Sequence, residues 1–69
     1  MKKWSDNLIN ISKEYLNYDR TRVKSLNYQF GILNIDYENN IYTISVSNSN
    51  QNLTFKSVDE IINSGWVVD

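Results

Sequence analysis

Apolar residues recur along this chain with two different periods, and the switches between those periods divide it into elements. Trp4, Leu8, Ile11 and Tyr15 follow one another at intervals of four, three and four residues, which puts them on one face of a helix, and Ile9 and Leu16 widen the stripe. A helix is therefore predicted from Asp6 to Leu16. Ser5 is the expected N-cap, its hydroxyl accepting from a first-turn amide, and Asp6 stands favourably against the positive end of the helix dipole. The polar face is not strongly basic, so the stripe reads as core-facing and not as a membrane-surface helix.

Asn17 to Thr21 reads as a connection, and from Val23 to Ile35 the period falls to two. Leu26, Tyr28, Phe30 and Ile32 alternate with Asn27, Gln29 and Gly31, the pattern of a half-buried strand. Leu33 and Ile35 then carry the apolar set onto odd positions, which predicts a β-bulge or bend at Gly31 and Ile32. Glu38-Asn39-Asn40 is a turn signal, because Asn tolerates positive φ, and Tyr42, Ile44 and Val46 alternate with Thr43, Ser45 and Ser47 to complete a hairpin. An all-polar loop from Asn48 to Asn52 leads into a short strand, Leu53 to Phe55. Ser57-Val58-Asp59-Glu60 matches a capping box, in which the Ser57 hydroxyl takes the Glu60 amide and the Glu60 carboxylate reaches back to the Ser57 amide. Val58, Ile61 and Ile62 give this second helix its apolar side, Gly65 ends it as a left-handed cap, and Trp66 to Val68 forms a final strand with Trp66 as a core plug. The predicted fold is α+β: two helices on one face of a small antiparallel sheet, a three-stranded meander plus a short C-terminal strand, in the order α-β-β-β-α-β.

Sixty-nine residues allow one domain, 1–69, with one small core. Such a core rarely supplies more than about 3 to 5 kcal/mol, so small domains commonly add disulfides, a metal or a partner subunit. With no Cys and no His, neither a disulfide nor the usual zinc ligand sets can form. Two Trp, five Tyr and two Phe are the expected compensation, each burying a large area, and a homodimer is the other route. No apolar run is long enough to cross a bilayer, and Met1-Lys2-Lys3 is not followed by a signal-peptide stretch, so the expected compartment is the cytoplasm of a bacterial host and no membrane partner is expected. The chain is rich in Asn, Ile and Tyr and lacks Ala and Pro, a bias toward AT-rich codons that points to a low-GC bacterium or one of its mobile elements.

The missing His and Cys also remove the commonest general base and the best intrinsic nucleophile. Asp36 with Glu38, and Asp59 with Glu60, lack the ligand spacing of a calcium loop. The isolated Gly31 and Gly65 build no phosphate-binding loop. No catalytic residue, metal site or cofactor is expected, and the chain reads as a non-enzymatic protein that works by binding.

Charge suggests where. Residues 1–34 carry Lys2, Lys3, Lys13, Arg20, Arg22 and Lys24 against Asp6, Glu14 and Asp19, for +3, and residues 35–69 carry Lys56 against Asp36, Glu38, Asp59, Glu60 and Asp69, for −4. Extended, the segment Tyr18 to Lys24 would point Arg20, Arg22 and Lys24 the same way, a basic row able to track a phosphate backbone, with Tyr18 placed to stack on a base. The same row could equally protect an edge strand from aggregation. Tyr37 and Tyr42 bracket the hairpin turn, either facing a partner or forming a cross-strand pair. Arg20, Arg22, Lys24, Asp36, Tyr37, Glu38, Tyr42, Asp59 and Glu60 are thus the candidate partner-binding residues.

The segment Ile41 to Asn48, followed by a helix that closes on Asn63-Ser64-Gly65-Trp66, resembles small phage-encoded anti-CRISPR proteins that block RNA-guided nucleases. The resemblance covers about half of the chain. It implies an N-terminal helix, a sheet with an Asn-rich turn, and inhibition of a host ribonucleoprotein by direct binding. Inhibitors of this kind are strongly acidic and mimic a duplex, whereas this chain is near neutral, so a local acidic face at Asp36, Glu38, Asp59 and Glu60 would have to serve. The alternatives are a nucleic-acid-binding accessory that uses the basic strand, and a homodimeric structural or assembly protein.

Overall fold

Seven elements follow one another in residues 4–69, which the computed structural model describes: α1 (Asp6–Tyr15), β1 (Thr21–Ser25), β2 (Phe30–Asp36), β3 (Ile41–Val46), β4 (Asn52–Phe55), α2 (Val58–Asn63) and β5 (Trp66–Val68). The five strands form one antiparallel sheet in the order β4-β3-β2-β1-β5. The first four make a meander, and β5 returns to lie outside β1. The α+β architecture is the predicted one, with one strand more than the patterning suggested.

That strand comes from the segment expected to be a single bent strand. The chain instead reverses at residues 26–29, and Ser25 builds the reversal. Its Oγ accepts from the Asn27 and Gln29 amides, both at 3.2 Å, while its own amide donates to the Gln29 carbonyl at 2.9 Å. Tyr28 takes a φ of 62° to complete the turn, a conformation that costs a bulky residue about 1–3 kcal/mol. No bulge interrupts β2 at Gly31 and Ile32. Val23 pairs with Gly31 and Thr21 with Leu33, so odd positions face the core in both strands and the even apolar residues face away. Gly31 is required by close approach: a Cβ there would lie 2.7 Å from the Ser45 carbonyl oxygen and 2.9 Å from Ile44 Cγ2.

The buried stripe of α1 also differs from the apolar pattern. Ser5 caps the helix, its Oγ accepting from the Leu8 amide at 3.2 Å, but Ile11 and Tyr15 are 40% and 50% exposed while Ser12 and Leu16 are fully buried. The helix is turned so that Ser12 meets the outer flank of β5, where its Oγ accepts from the Val68 amide at 3.0 Å. A serine does there what an apolar residue could not: it satisfies an edge amide that would otherwise be unpaired.

Leu16 of α1 and Ile61 of α2 meet Val23, Leu33, Ile44, Val46, Phe55 and Trp66 in one core on the helix-covered face, with Ile35, Tyr42, Leu53, Val58 and Ile62 packed around it. Each large aliphatic side chain buried this way contributes about 1.5–3 kcal/mol. Trp66 is the expected plug, 3% exposed. At the start of α2 the Ser57 Oγ accepts from the Glu60 amide at 3.1 Å, half of the predicted capping box; among the described residues the Glu60 carboxylate makes no return bond. Gly65 stops α2 with a φ of 96°. Its carbonyl accepts from the Leu26 amide at 3.2 Å and from the Trp4 indole at 2.8 Å, fastening the β1–β2 turn and the N-terminal segment to the same corner.

Candidate interaction surface

Leu16 of α1 and Ile61 of α2 join the core on one face of the sheet, and alternation along the strands dictates what the other face presents. From β1 come Arg22 and Lys24, from β2 Phe30, Ile32, Asn34 and Asp36, from β3 Ile41, Thr43 and Ser45, and from β4 Asn52 and Thr54. The ladders set these side chains in cross-strand rows. Lys24 stands opposite Phe30, Arg22 opposite Ile32, and Ile32 in turn opposite Ser45, which faces Asn52. Phe30, Ile32 and Ile41 are 51%, 44% and 38% exposed, so an aromatic and two aliphatic side chains stand uncovered on the sheet, Phe30 and Ile32 beside Arg22 and Ile41 opposite Asp36.

Two shallow hollows mark this face. One is lined by Arg20, Arg22, Ile32, Asn34 and Ser45, and the adjoining one by Arg22, Phe30, Ile32, Ser47 and Asp69 among others. Arg22 belongs to both. Arg20 reaches the first from outside the ladder, where the chain enters β1 with a φ of 63° and its amide donates to the Leu33 carbonyl at 2.7 Å.

The expected row of three cations is thereby divided. Arg20 and Arg22 converge on one hollow, whereas the Lys24 ammonium is drawn toward Asp69, 3.9 Å from its Oδ1, and lies 5.4 Å from the centre of the Trp4 ring. At the β5 end of the face Val67, opposite Lys24, is fully buried. β1 is an inner strand between β2 and β5, so its charges do not protect an edge. Tyr18, 58% exposed, sits before β1 with its ring 6.4 Å from that of Tyr15 and does not extend the row.

The acidic candidates serve different ends. The Asp36 carboxylate is built into the β2–β3 turn: Oδ1 accepts from the Glu38 and Asn39 amides at 3.2 and 3.3 Å, and Oδ2 from the Asn39 side chain at 2.9 Å. Those bonds favour the ionised form and hold its pKa below the ordinary carboxylate value, the Asn39 side chain contributing most. Asp59 and Glu60 occupy the first turn of α2. A hollow shared by Asn40, Tyr42, Ser57 and Asp59 brings that turn and the β2–β3 turn to one end of the molecule, but Lys13 and Lys56 line it as well. This end is mixed in charge. Among the described residues no three Asp, Glu, His or Cys side chains gather as a metal site would need.

The two tyrosines are not cross-strand partners, because Tyr42 stands opposite Ile35 and Tyr37 lies beyond the last ladder pair, Asp36 with Ile41. Tyr42 packs half-buried against the core. The Tyr37 hydroxyl accepts from the Asp19 amide at 3.1 Å and donates to the Asn17 carbonyl at 3.0 Å, pinning the α1–β1 connection to the hairpin turn. The residues that sequence reasoning missed are Phe30 and Ile32, which the period-two pattern assigned to the core. A signal for them existed: Leu33 and Ile35 have odd parity on the same strand, which is incompatible with an inward Phe30 unless a bulge intervenes.

No protein-family model matches the chain, and no curated protein or solved structure is detectably similar to it. Among the described residues no helix is long and apolar enough to cross a membrane.

Proposed function

We propose that the protein is a non-enzymatic binding module that acts by occupying the surface of a host ribonucleoprotein, with the uncovered face of its sheet turned toward the nucleic-acid component. An RNA-guided nuclease is the favoured target. The observation that carries this reading is the convergence of Arg20 and Arg22 on a hollow beside the exposed Phe30 and Ile32. Exposed apolar side chains next to cations suit a ligand with planar and anionic parts, and the mixed charge at the hairpin end suits a protein surface that presents both signs. Glu38 and Glu60 are the acids best suited to that second contact, because Asp36 already holds its turn. The chain has neither His nor Cys, which leaves it poor in catalytic chemistry and supports action by occupancy.

The test is inhibition of target cleavage by a panel of guide-loaded nucleases. The protein should bind a loaded complex more tightly than the bare guide, and Arg22→Glu and Glu38→Lys should each weaken inhibition separately. Cleavage unchanged across the panel at micromolar protein removes this target. A homodimer is the second reading, favoured by the asymmetry of the sheet edges: β5 is closed by Ser12, whereas among the described residues no strand covers the outer flank of β4. Light scattering on the eluting protein decides it, a mass of one chain at all concentrations excluding the dimer.

A further inference from the structure

We infer that the uncovered sheet face is a site for single-stranded nucleic acid, with a base stacked on Phe30 and adjacent phosphates held by Arg20 and Arg22; this deepens the reading above, on which it rests. Three features point to that ligand. Phe30 is 51% exposed and stands in the ladder between Lys24 and the β3 side of the sheet, so its ring is available to a planar group, and a base in a duplex is not available to stack on it. Arg22 lines both hollows, one with Arg20 and one with Phe30, so a phosphate and its own base can be engaged together. Arg20 and Arg22 converge on one hollow, which puts two cations side by side where adjacent phosphates of one strand can sit.

Beyond the apolar strip the same face offers Asn34, Thr43, Ser45, Asn52 and Thr54. Their side chains include donors and acceptors for base edges and no charge; the acid of this face, Asp36, stands at its far end opposite Ile41, with its carboxylate held in the β2–β3 turn. Asp69 is the one acid on the rim of the Phe30 hollow, and Lys24 faces it. A peptide bearing only carboxylate side chains could use the arginines but has no planar group to set on the exposed ring, whereas stacking on an aromatic side chain is available to every base and is independent of sequence.

The experiment is fluorescence anisotropy with labelled dT15 and U15, a duplex of equal length, and oligoglutamate of equal charge, titrated with the full chain at several salt concentrations. Both single strands should bind at 20 mM salt, at least tenfold more tightly than the duplex or oligoglutamate. Two phosphate contacts on a single strand predict about a sevenfold loss of affinity between 50 and 200 mM salt. Phe30→Ala should weaken binding at least about fivefold, the lower end of a stacking contribution, and Phe30→Trp should retain it. Arg20→Glu with Arg22→Glu should abolish binding, and Lys13→Glu on the helix side should not, each variant being checked for an unchanged circular dichroism spectrum and melting midpoint. No binding of either oligonucleotide at 20 mM salt, equal binding of oligoglutamate, or an affinity indifferent to Phe30→Ala in a folded variant overturns the inference. If oligonucleotides fail while Arg22→Glu still weakens inhibition of a loaded nuclease, only this inference falls. If the face variants change neither, the proposed function falls with it.

Discussion

Replacing Ser12 by Ala and, separately, Ile11 by Ala sets the orientation of α1 against the apolar pattern. By pattern alone Ile11 is a core residue whose truncation costs about 2–5 kcal/mol, and Ser12→Ala should slightly stabilise, because Ala is the better helix former. The structure reverses the order. Ser12 is fully buried and its hydroxyl is the acceptor for the Val68 amide at 3.0 Å. Removing it leaves an edge amide unpaired beneath the helix, a cost of about 1–3 kcal/mol, from which the gain in helix propensity returns a few tenths to about half a kcal/mol. The net loss is about 0.5–2.7 kcal/mol, equivalent in a domain of this size to a fall of about 2–22 °C in the melting midpoint. Ile11, 40% exposed, leaves no enclosed cavity when truncated, and about 1 kcal/mol is the most it should cost. Urea unfolding followed by the fluorescence of buried Trp66 reads both variants. A Ser12→Ala midpoint equal to or above that of the parent, with Ile11→Ala the more damaging change, would refute this placement of the helix.

Three other substitutions probe separate devices. Ser57→Ala should destabilise by about 1 kcal/mol, since the Glu60 amide loses its side-chain acceptor, and an unchanged urea midpoint removes the cap from the account. Gly31→Ala should cost about 1–3 kcal/mol, because the added methyl meets the backbone of Ser45 at 2.7 Å and the two strands must part to admit it; a melting midpoint within a degree of the parent would contradict that close approach. The Asp36 carboxylate has a folded-state pKa below its unfolded value, so its stabilising effect is complete above the unfolded pKa and is lost as pH falls through the folded one. The difference in urea midpoint between the parent and Asp36→Asn should accordingly be present at neutral pH and shrink across the acid range, and a difference independent of pH would show that the turn bonds do not depend on the charge.

Much of the fold was legible because the local signals were chemically specific. Ser5 and Ser57 announced helix starts through their hydroxyls, Gly65 a helix end through its freedom of φ, and the Asn-rich reversal at Glu38 to Asn40 a hairpin, in which Asn40 takes a φ of 54°. What misled was apolar character used outside the core. Phe30 and Ile32 form an exposed strip on the sheet, so their alternation with Gly31 mimicked a buried strand face, and the turn at Ser25 carried no Gly or Pro to mark it. A Tyr in the left-handed region at position 28 is a conformation that sequence preferences argue against. On α1 the opposite occurred, a polar Ser12 taking a buried position because an edge amide needed an acceptor. The candidate site was half visible. Arg20, Arg22 and Lys24 were found by charge, but their apolar neighbours depended on strand register, and the division of the cations followed from Trp4 and Asp69, which are distant from one another in the chain. The acidic candidates turned out to be divided between a turn-forming carboxylate and the capped start of a helix.

The claim that matters most is that the uncovered sheet face is the working surface, and backbone amide chemical shifts test it residue by residue. In a titration of isotope-labelled protein with dT15 at 20 mM salt, the perturbed amides should cluster at Arg22, Phe30, Ile32, Asn34 and Ser45 and saturate together. Perturbations confined to the hollow beside Lys13, Tyr42 and Asp59, or spread evenly over the molecule without saturation, would contradict it.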